Sequence, residues 1–195
     1  MVICFLGDSL TLGVGDERAM GGWVGRLTQA SYALDSARSR TLTVYNLGVR
    51  GDAAVTLVNR WRGDVDRRRR KGEDMAFVFS FGAADGQRKF PCEATLLAGK
   101  TILCEAAGLG RTLYVSPPPP LDPAWAADTR RVGAELRAFC ATLDVPATDF
   151  FEPLAADASY MASLAADGIH PDAAGYDKMA ALLRAWPPLA ELMLL

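Results

Sequence analysis

Short apolar runs alternate with longer amphipathic stretches along this chain, the pattern of βαβ units and a parallel sheet. Residues 2–6 (VICFL) predict a first strand, followed by a glycine-rich loop and a helix over 22–34. A second strand is predicted over 41–46 and a second helix from 53 to about 70. Residues 75–81 (MAFVFSF) are apolar throughout, as a strand covered on both faces should be. A helix over 92–107 stops at Gly108, and a fourth strand over 112–116 is cut off by Pro117, Pro118, Pro119 and Pro120. Residues 122–143 read as helix, 145–150 as a short fifth strand, and 172–186 as a last helix stopped by Pro187 and Pro188. No linker, repeat or low-complexity segment divides the chain, so one doubly wound α/β domain over 1–195 with about five strands is expected.

Ligands of such sheets bind beyond the carboxyl ends of the strands. Chemistry is therefore expected in the segments 7–15, 47–52, 82–91 and 116–120, and around Asp167 and His170. Composition narrows the classes. Half the residues are hydrophobic and 23% are charged, the balance of an ordinary globular protein. With 23 acidic against 21 basic residues, nothing global points to nucleic acid or an anionic membrane. No run reaches the roughly 18 apolar residues of a membrane span. The chain enters a strand at once, without a basic stretch leading into a long apolar one, which makes a cytoplasmic location the expectation. Cys4, Cys92, Cys104 and Cys140 form no C-x-x-C pair and are read as four buried, reduced thiols. The single histidine, His170, argues against a multi-histidine metal site and is the one candidate for any imidazole base.

Gly7-Asp8-Ser9-Leu10-Thr11 follows the first strand directly, where a serine hydroxyl can face the cleft. Asp and Ser are ordinary turn residues, so the triplet says little alone. A phosphate loop is excluded because no Gly-Lys pair follows, and a dinucleotide fingerprint because no third glycine stands at the required offset from Gly13 and Gly15. Thr11 occupies the second glycine position of a G-x-S-x-G elbow, which excludes that motif too. Asp167-Gly168-Ile169-His170-Pro171 precedes the last helix. An Asp three residues before a His often only caps a helix. It can also set its carboxylate against one imidazole nitrogen and leave the other free to take a proton from a serine. The two motifs gain weight from each other, since the only histidine falls where a base for Ser9 is wanted.

GDSLT at the start, Asn46-Leu47-Gly48-Val49-Arg50-Gly51-Asp52, Phe81-Gly82-Ala83-Ala84-Asp85-Gly86 and Asp167–Pro171 resemble, in order, the four motif blocks of the SGNH/GDSL hydrolases. The VSPPPPL segment over 115–121 resembles the proline-rich strand exit of the short-chain acyl- and arylesterase branch. The resemblance implies a flavodoxin-like three-layer α/β/α fold, hydrolysis of small esters or thioesters, and no cofactor or metal. By position it makes Ser9 the nucleophile and, through its backbone N–H, one oxyanion donor. Gly48 becomes the second donor, Asp167 orients the base, and His170 is the base. The family's third block reads G-x-N-D, with the Asn amide as a third oxyanion donor, whereas this chain carries Ala84 there. Loss of one such donor typically costs roughly 10²–10³-fold in turnover. Three readings stay open: an introduced Asn→Ala change, a natural weak hydrolase or one using another donor, and a cleft that only binds acylated ligands. A carbohydrate O-deacetylase of the same fold is the rival enzyme.

Lesser signals complete the expectations. The basic run at 67–71 is read as a solvated helix end, favoured there by the helix dipole. Phe90, Pro117 and Pro118 follow sheet ends and are expected to shape the substrate pocket, with Asp8 beside them. Trp23 and Trp125 either pack in the core or wall an acyl site. The apolar tail over 189–195 either caps the core or meets a second subunit in a homo-oligomer.

Overall fold

The computed structural model describes all residues, Met1–Leu195. Five parallel strands, β1 (Val2–Gly7), β2 (Thr43–Gly48), β3 (Met75–Ser80), β4 (Arg111–Val115) and β5 (Ala147–Thr148), form one sheet in the order β2-β1-β3-β4-β5. Eleven helices connect and flank them: α1 (Ser9–Leu12), α2 (Gly22–Leu34), α3 (Arg38–Thr41), α4 (Ala54–Asp66), α5 (Ala83–Gln87), α6 (Cys92–Ala107), α7 (Pro123–Thr142), α8 (Phe151–Ala155), α9 (Ala158–Ser163), α10 (Ala173–Arg184) and α11 (Pro187–Met193).

The strands are apolar at consecutive positions because both faces are covered. Val2, Cys4 and Leu6 pack with Phe77 and Phe79 against α4, α6 and α7, while Ile3 and Phe5 pack with Val78 against α2, α10 and α11. The result is three layers around two apolar clusters. Trp61 on α4 meets Phe77 and Phe79 edge-on at 6.1 and 5.6 Å, and Trp23 on α2 meets Phe5 at 5.5 Å. Trp23 is thus a core residue and does not wall a pocket. From β1 the chain first moves to the β2 edge and then crosses back to β3. The strand order reverses between β1 and β3, and the crevice beyond their carboxyl ends is the place where such sheets bind ligands.

Several boundaries differ from the sequence reading. The second strand is displaced to Thr43–Gly48 because residues 38–41 close a helical turn, so Leu47 and Gly48 belong to strand and not to loop. Helix α4 ends at Asp66, which places Arg67, Arg69, Arg70 and Lys71 beyond it; Arg67 pairs with Asp64, Arg69 with Asp66 and Arg70 with Glu73. Pro187 does not simply stop the last helix but opens α11, where its missing N–H costs nothing. Leu189, Leu192 and Met193 are buried there, and Ser31 Oγ on α2 donates to Met193 O at 2.5 Å. The apolar tail therefore covers the core. Helices α5, α8 and α9 span five or six residues, too few for a hydrophobic period to show. Cys4 and Cys140 are buried, and burial pushes their thiols up to about 11 and about 12. Cys104, expected to be buried, stands exposed on α6. No helix is long and apolar enough to cross a membrane.

Candidate active site

Ser9 owes its position to the way β1 ends. A Cβ on Gly7 would lie 2.0 Å from Ser80 O, so only glycine lets β1 and β3 run this close at their carboxyl ends. The next residue, Asp8, adopts an extended conformation and accepts the Leu10 N–H on its carboxylate at 2.9 Å, starting α1 at Ser9. As first residue of that helix, Ser9 has no intrahelical partner for its own N–H.

His170 arrives from the other end of the chain. Asp167 Oδ1 accepts the backbone N–H groups of Ile169 and His170 at 3.0 and 2.8 Å, and Gly168 at φ +81° lets the turn close. The same carboxyl receives His170 Nδ1 on Oδ2 at 2.6 Å, and His170 Nε2 lies 2.8 Å from Ser9 Oγ. Burial pushes the Asp167 carboxyl up, but the bonds from the imidazole and the two N–H groups outweigh it and hold the carboxyl below the usual range. With the Nδ1–H donated to Asp167, the Nε2 lone pair faces the serine hydroxyl and can take its proton. Ser9 and His170 are only 6% and 8% exposed, so the pair sits at the floor of the crevice with little competing water.

The expected oxyanion residues separate. Gly48 ends β2, and its N–H donates to Asn46 Oδ1 at 3.0 Å, so it is not free to meet an oxyanion. The side-chain oxygen of the same motif's Asn consumes the donor, a pairing that sequence does not reveal. A few residues on, the turn through Val49 and Asp52 holds Gly51 at φ +72° with nothing within 4 Å of where a Cβ would stand. Gly51 O accepts Arg88 Nη1 at 3.2 Å, while its N–H donates to no protein atom. Ala84, in the first turn of α5, is 4% exposed and brings no side-chain donor.

The expected pocket residues also divide. The carboxyl of Asp8 is buried and serves as the cap of α1, so it underlies the nucleophile and does not wall a pocket. Burial pushes that carboxyl up to about 7, against the lowering effect of the Leu10 and Ala84 N–H groups. Pro117 and Pro118 are buried as well, and Pro117 packs into the space left by Gly82 and Gly133. Phe90, in contrast, lines an open cleft of about 510 Å³ with Gln87, Lys89, Asp122, Trp125 and Asp128. The cleft borders the site on two sides. Trp125 Nε1 donates to Ala83 O at 2.8 Å, and Leu121, next to Asp122, donates its N–H to Gly168 O at 2.8 Å.

Sequence reasoning passed over Asp85. Its buried carboxylate accepts the Ala54 N–H at 3.0 and 2.8 Å and Thr95 Oγ1 at 3.1 Å, tying α5 to the start of α4. The acid following position 84 in the motif was its only signal. No group of three or more His, Cys, Asp or Glu side chains is placed to hold a metal ion.

The fold is similar to that of LAE5, an alpha/beta hydrolase enzyme from the metagenome of Lake Arreo, with a TM-score of 0.75, 23% identity and coverage of 96% of this chain and 95% of that one. It is similar to the acetylxylan esterase Axe2 of Geobacillus stearothermophilus, with a TM-score of 0.75, 21% identity and coverage of 94% and 92%. A protein of the G-D-S-L family from Desulfitobacterium hafniense superposes with a TM-score of 0.72, at 19% identity and coverage of 92% and 95%. None of the curated proteins matches this sequence. Residues 5–178, which carry Ser9, Asp167 and His170, match the GDSL-like Lipase/Acylhydrolase family, and the chain belongs to that family.

Proposed function

We propose that this protein is a serine ester hydrolase that cleaves short-chain acyl or aryl esters, or thioesters, through an acyl-enzyme. The reading rests on one observation: the hydrogen-bonded chain from Ser9 Oγ through His170 to Asp167, at 2.8 and 2.6 Å. Ser9 Oγ attacks the carbonyl carbon as its proton passes to His170 Nε2, and the Asp167 carboxylate stabilises the imidazolium that forms. Collapse of the tetrahedral intermediate expels the alcohol, which takes the proton from Nε2. Water, deprotonated by His170, then attacks the acyl-Ser9 carbonyl, and a second collapse releases the acid and restores the serine.

The oxyanion is met by the Ser9 N–H and, in place of Gly48, by the Gly51 N–H. The positive φ at Gly51 and its undonated N–H support that assignment. Ala84 leaves the side-chain position of this hole empty, so turnover is reduced relative to a chain with Asn there. A specific observation also favours the carbohydrate O-deacetylase reading. Phe90 and Trp125 offer apolar ring faces in the bordering cleft, and Asp122, Asp128 and Gln87 offer acceptors for hydroxyls. The acetylxylan esterase among the similar structures points the same way.

The test is a fluorophosphonate probe followed by hydrolysis of p-nitrophenyl esters and peracetylated sugars. The expected result is a label on Ser9 that Ser9→Ala removes and His170→Ala slows severely, since no second imidazole exists to replace it. A label that persists in Ser9→Ala would assign another nucleophile. Absence of any label, with acylated ligands still bound, would make the cleft a binding site only.

A further inference from the structure

Ser9 and His170 are 161 residues apart in sequence, and something must hold their two loops in register. The segment after α1 does so at close range. A Cβ on Gly15 would lie 2.8 Å from Pro171 O and 3.1 Å from His170 Cβ, so the backbone at Gly15 backs directly onto the histidine. On one side of Gly15, Val14 O accepts the Tyr176 hydroxyl of α10 at 2.7 Å; on the other, Glu17 accepts the Ala173 N–H at 2.8 Å.

Arg26 on α2 sits behind this junction, 8% exposed. Its guanidinium uses all five N–H groups. Nη1 donates to Asp16 Oδ2 at 2.5 Å and Gly22 O at 3.0 Å, and Nη2 to Asp16 Oδ1 at 3.2 Å and Ala173 O at 2.9 Å. Nε donates to Asp177 Oδ1 at 2.6 Å, and Asp16 Oδ2 also accepts the Gly22 N–H at 2.9 Å. One planar cation thereby joins Asp16, seven residues after Ser9, to Ala173, three residues after His170.

We propose that Arg26 is a positioning residue for the Ser9–His170 pair: by bridging Asp16 and Ala173 it holds the loop behind His170 and sets the imidazole against the serine hydroxyl. The proposal rests on the reading of Ser9 as nucleophile and His170 as base. Lysine cannot do this work. It offers three donors from a single nitrogen, without the planar fork that reaches the Asp16 carboxylate, Ala173 O and Asp177 together. Small displacements of a reacting pair are costly, on the order of 10²-fold for about 1 Å.

The experiment uses Arg26→Lys and, should that variant fold poorly, Asp16→Asn, which keeps the arginine and one acceptor oxygen for the Gly22 N–H while weakening the bridge. Leu183→Ala, in the last turn of α10 and away from the junction, supplies a variant destabilised by a core cavity alone. Three quantities are read below the melting temperature: the rate of fluorophosphonate labelling at Ser9, kcat and KM on one short-chain ester, and the His170 Nδ1–H proton resonance. That resonance is unambiguous because the chain has one histidine. In Arg26→Lys, labelling and kcat are expected to fall roughly 10- to 100-fold with KM nearly unchanged, and the Nδ1–H signal to move or broaden. Leu183→Ala should melt earlier yet keep the labelling rate and the resonance. A folded Arg26→Lys or Asp16→Asn with wild-type labelling and an unshifted resonance would overturn the proposal. So would Leu183→Ala showing the same losses, since instability alone would then explain them. A wild-type chain that takes no label at Ser9 would instead sink the catalytic reading, while the resonance would still report whether Arg26 positions His170.

Discussion

The Asp85 carboxylate holds the Ala54 N–H between its two oxygens, at 3.0 and 2.8 Å, and so joins the first turn of α5 to the start of the helix following β2. Two strand exits, those of β3 and β2, are braced through this one buried acid. Asp85→Ala would leave the Ala54 N–H and Thr95 Oγ1 without their acceptor. A loss of about 1–3 kcal/mol in stability is expected, together with slower turnover, because the Gly51 turn is then tied to α5 only through Arg88 on Gly51 O. Asp85→Asn keeps one acceptor oxygen and should lose less of both. Urea titrations with steady-state kinetics check this, and an Asp85→Ala enzyme with native stability and turnover would refute it.

Ala84→Asn should raise esterase turnover by roughly 10²–10³-fold, with the gain in kcat more than in KM. The carbonyl oxygen becomes negative only as the carbon turns tetrahedral, so an amide aimed at it stabilises chiefly the transition state. Steady-state kinetics of both forms on one short-chain ester decide the matter. Equal kcat values would mean that another group already fills the third donor's place.

Asp8 makes stability depend on pH. Burial pushes its folded pKa up to about 7, above the ordinary carboxyl value of 3.8. A raised pKa stabilises the fold fully below the unfolded value, and that contribution is lost as pH climbs through the folded one. Asp8→Asn cannot ionise. Its stability relative to wild type should therefore increase between about pH 4 and pH 7 and level off above, by an amount on the order of 4 kcal/mol for a shift of this size. Urea midpoints of the two proteins across that range provide the measurement. A difference that stays constant with pH would show that the Asp8 carboxyl ionises in the folded protein as it does in the unfolded chain.

Phe90 separates the two ester classes. Its ring lines the cleft beside the site and carries the Arg88 guanidinium over one face at 5.2 Å, whereas Trp125 holds Ala83 O by a hydrogen bond. If acetylated sugars bind there, Phe90→Ala should raise KM for a peracetylated xylose by about three- to tenfold, the worth of one stacking contact, and leave p-nitrophenyl acetate nearly unchanged. Equal effects on both substrates would remove the cleft from sugar recognition.

The sequence by itself determined what depends on pattern and chemical type. Continuous apolar runs separated by amphipathic stretches can bury themselves only as a parallel sheet between helices, and the sheet found has five strands. Ser9, Asp167 and His170 were legible because their residue types are rare in combination: one histidine, one Gly-Asp-Ser after a first strand, one Asp three residues before that histidine. What only the tertiary structure decided turns on direction and partnership. Gly48 and Gly51 stand three residues apart in one motif, yet the first gives its N–H to Asn46 and the second gives its N–H to no protein atom, because the turn geometry sets which acceptor each can reach. Trp23 went to the core and Trp125 to the cleft for the same reason, although each opens a helix. The Arg26 junction lay beyond the sequence altogether, since no local pattern records that Asp16, Ala173 and Asp177 converge on one guanidinium once the chain has folded.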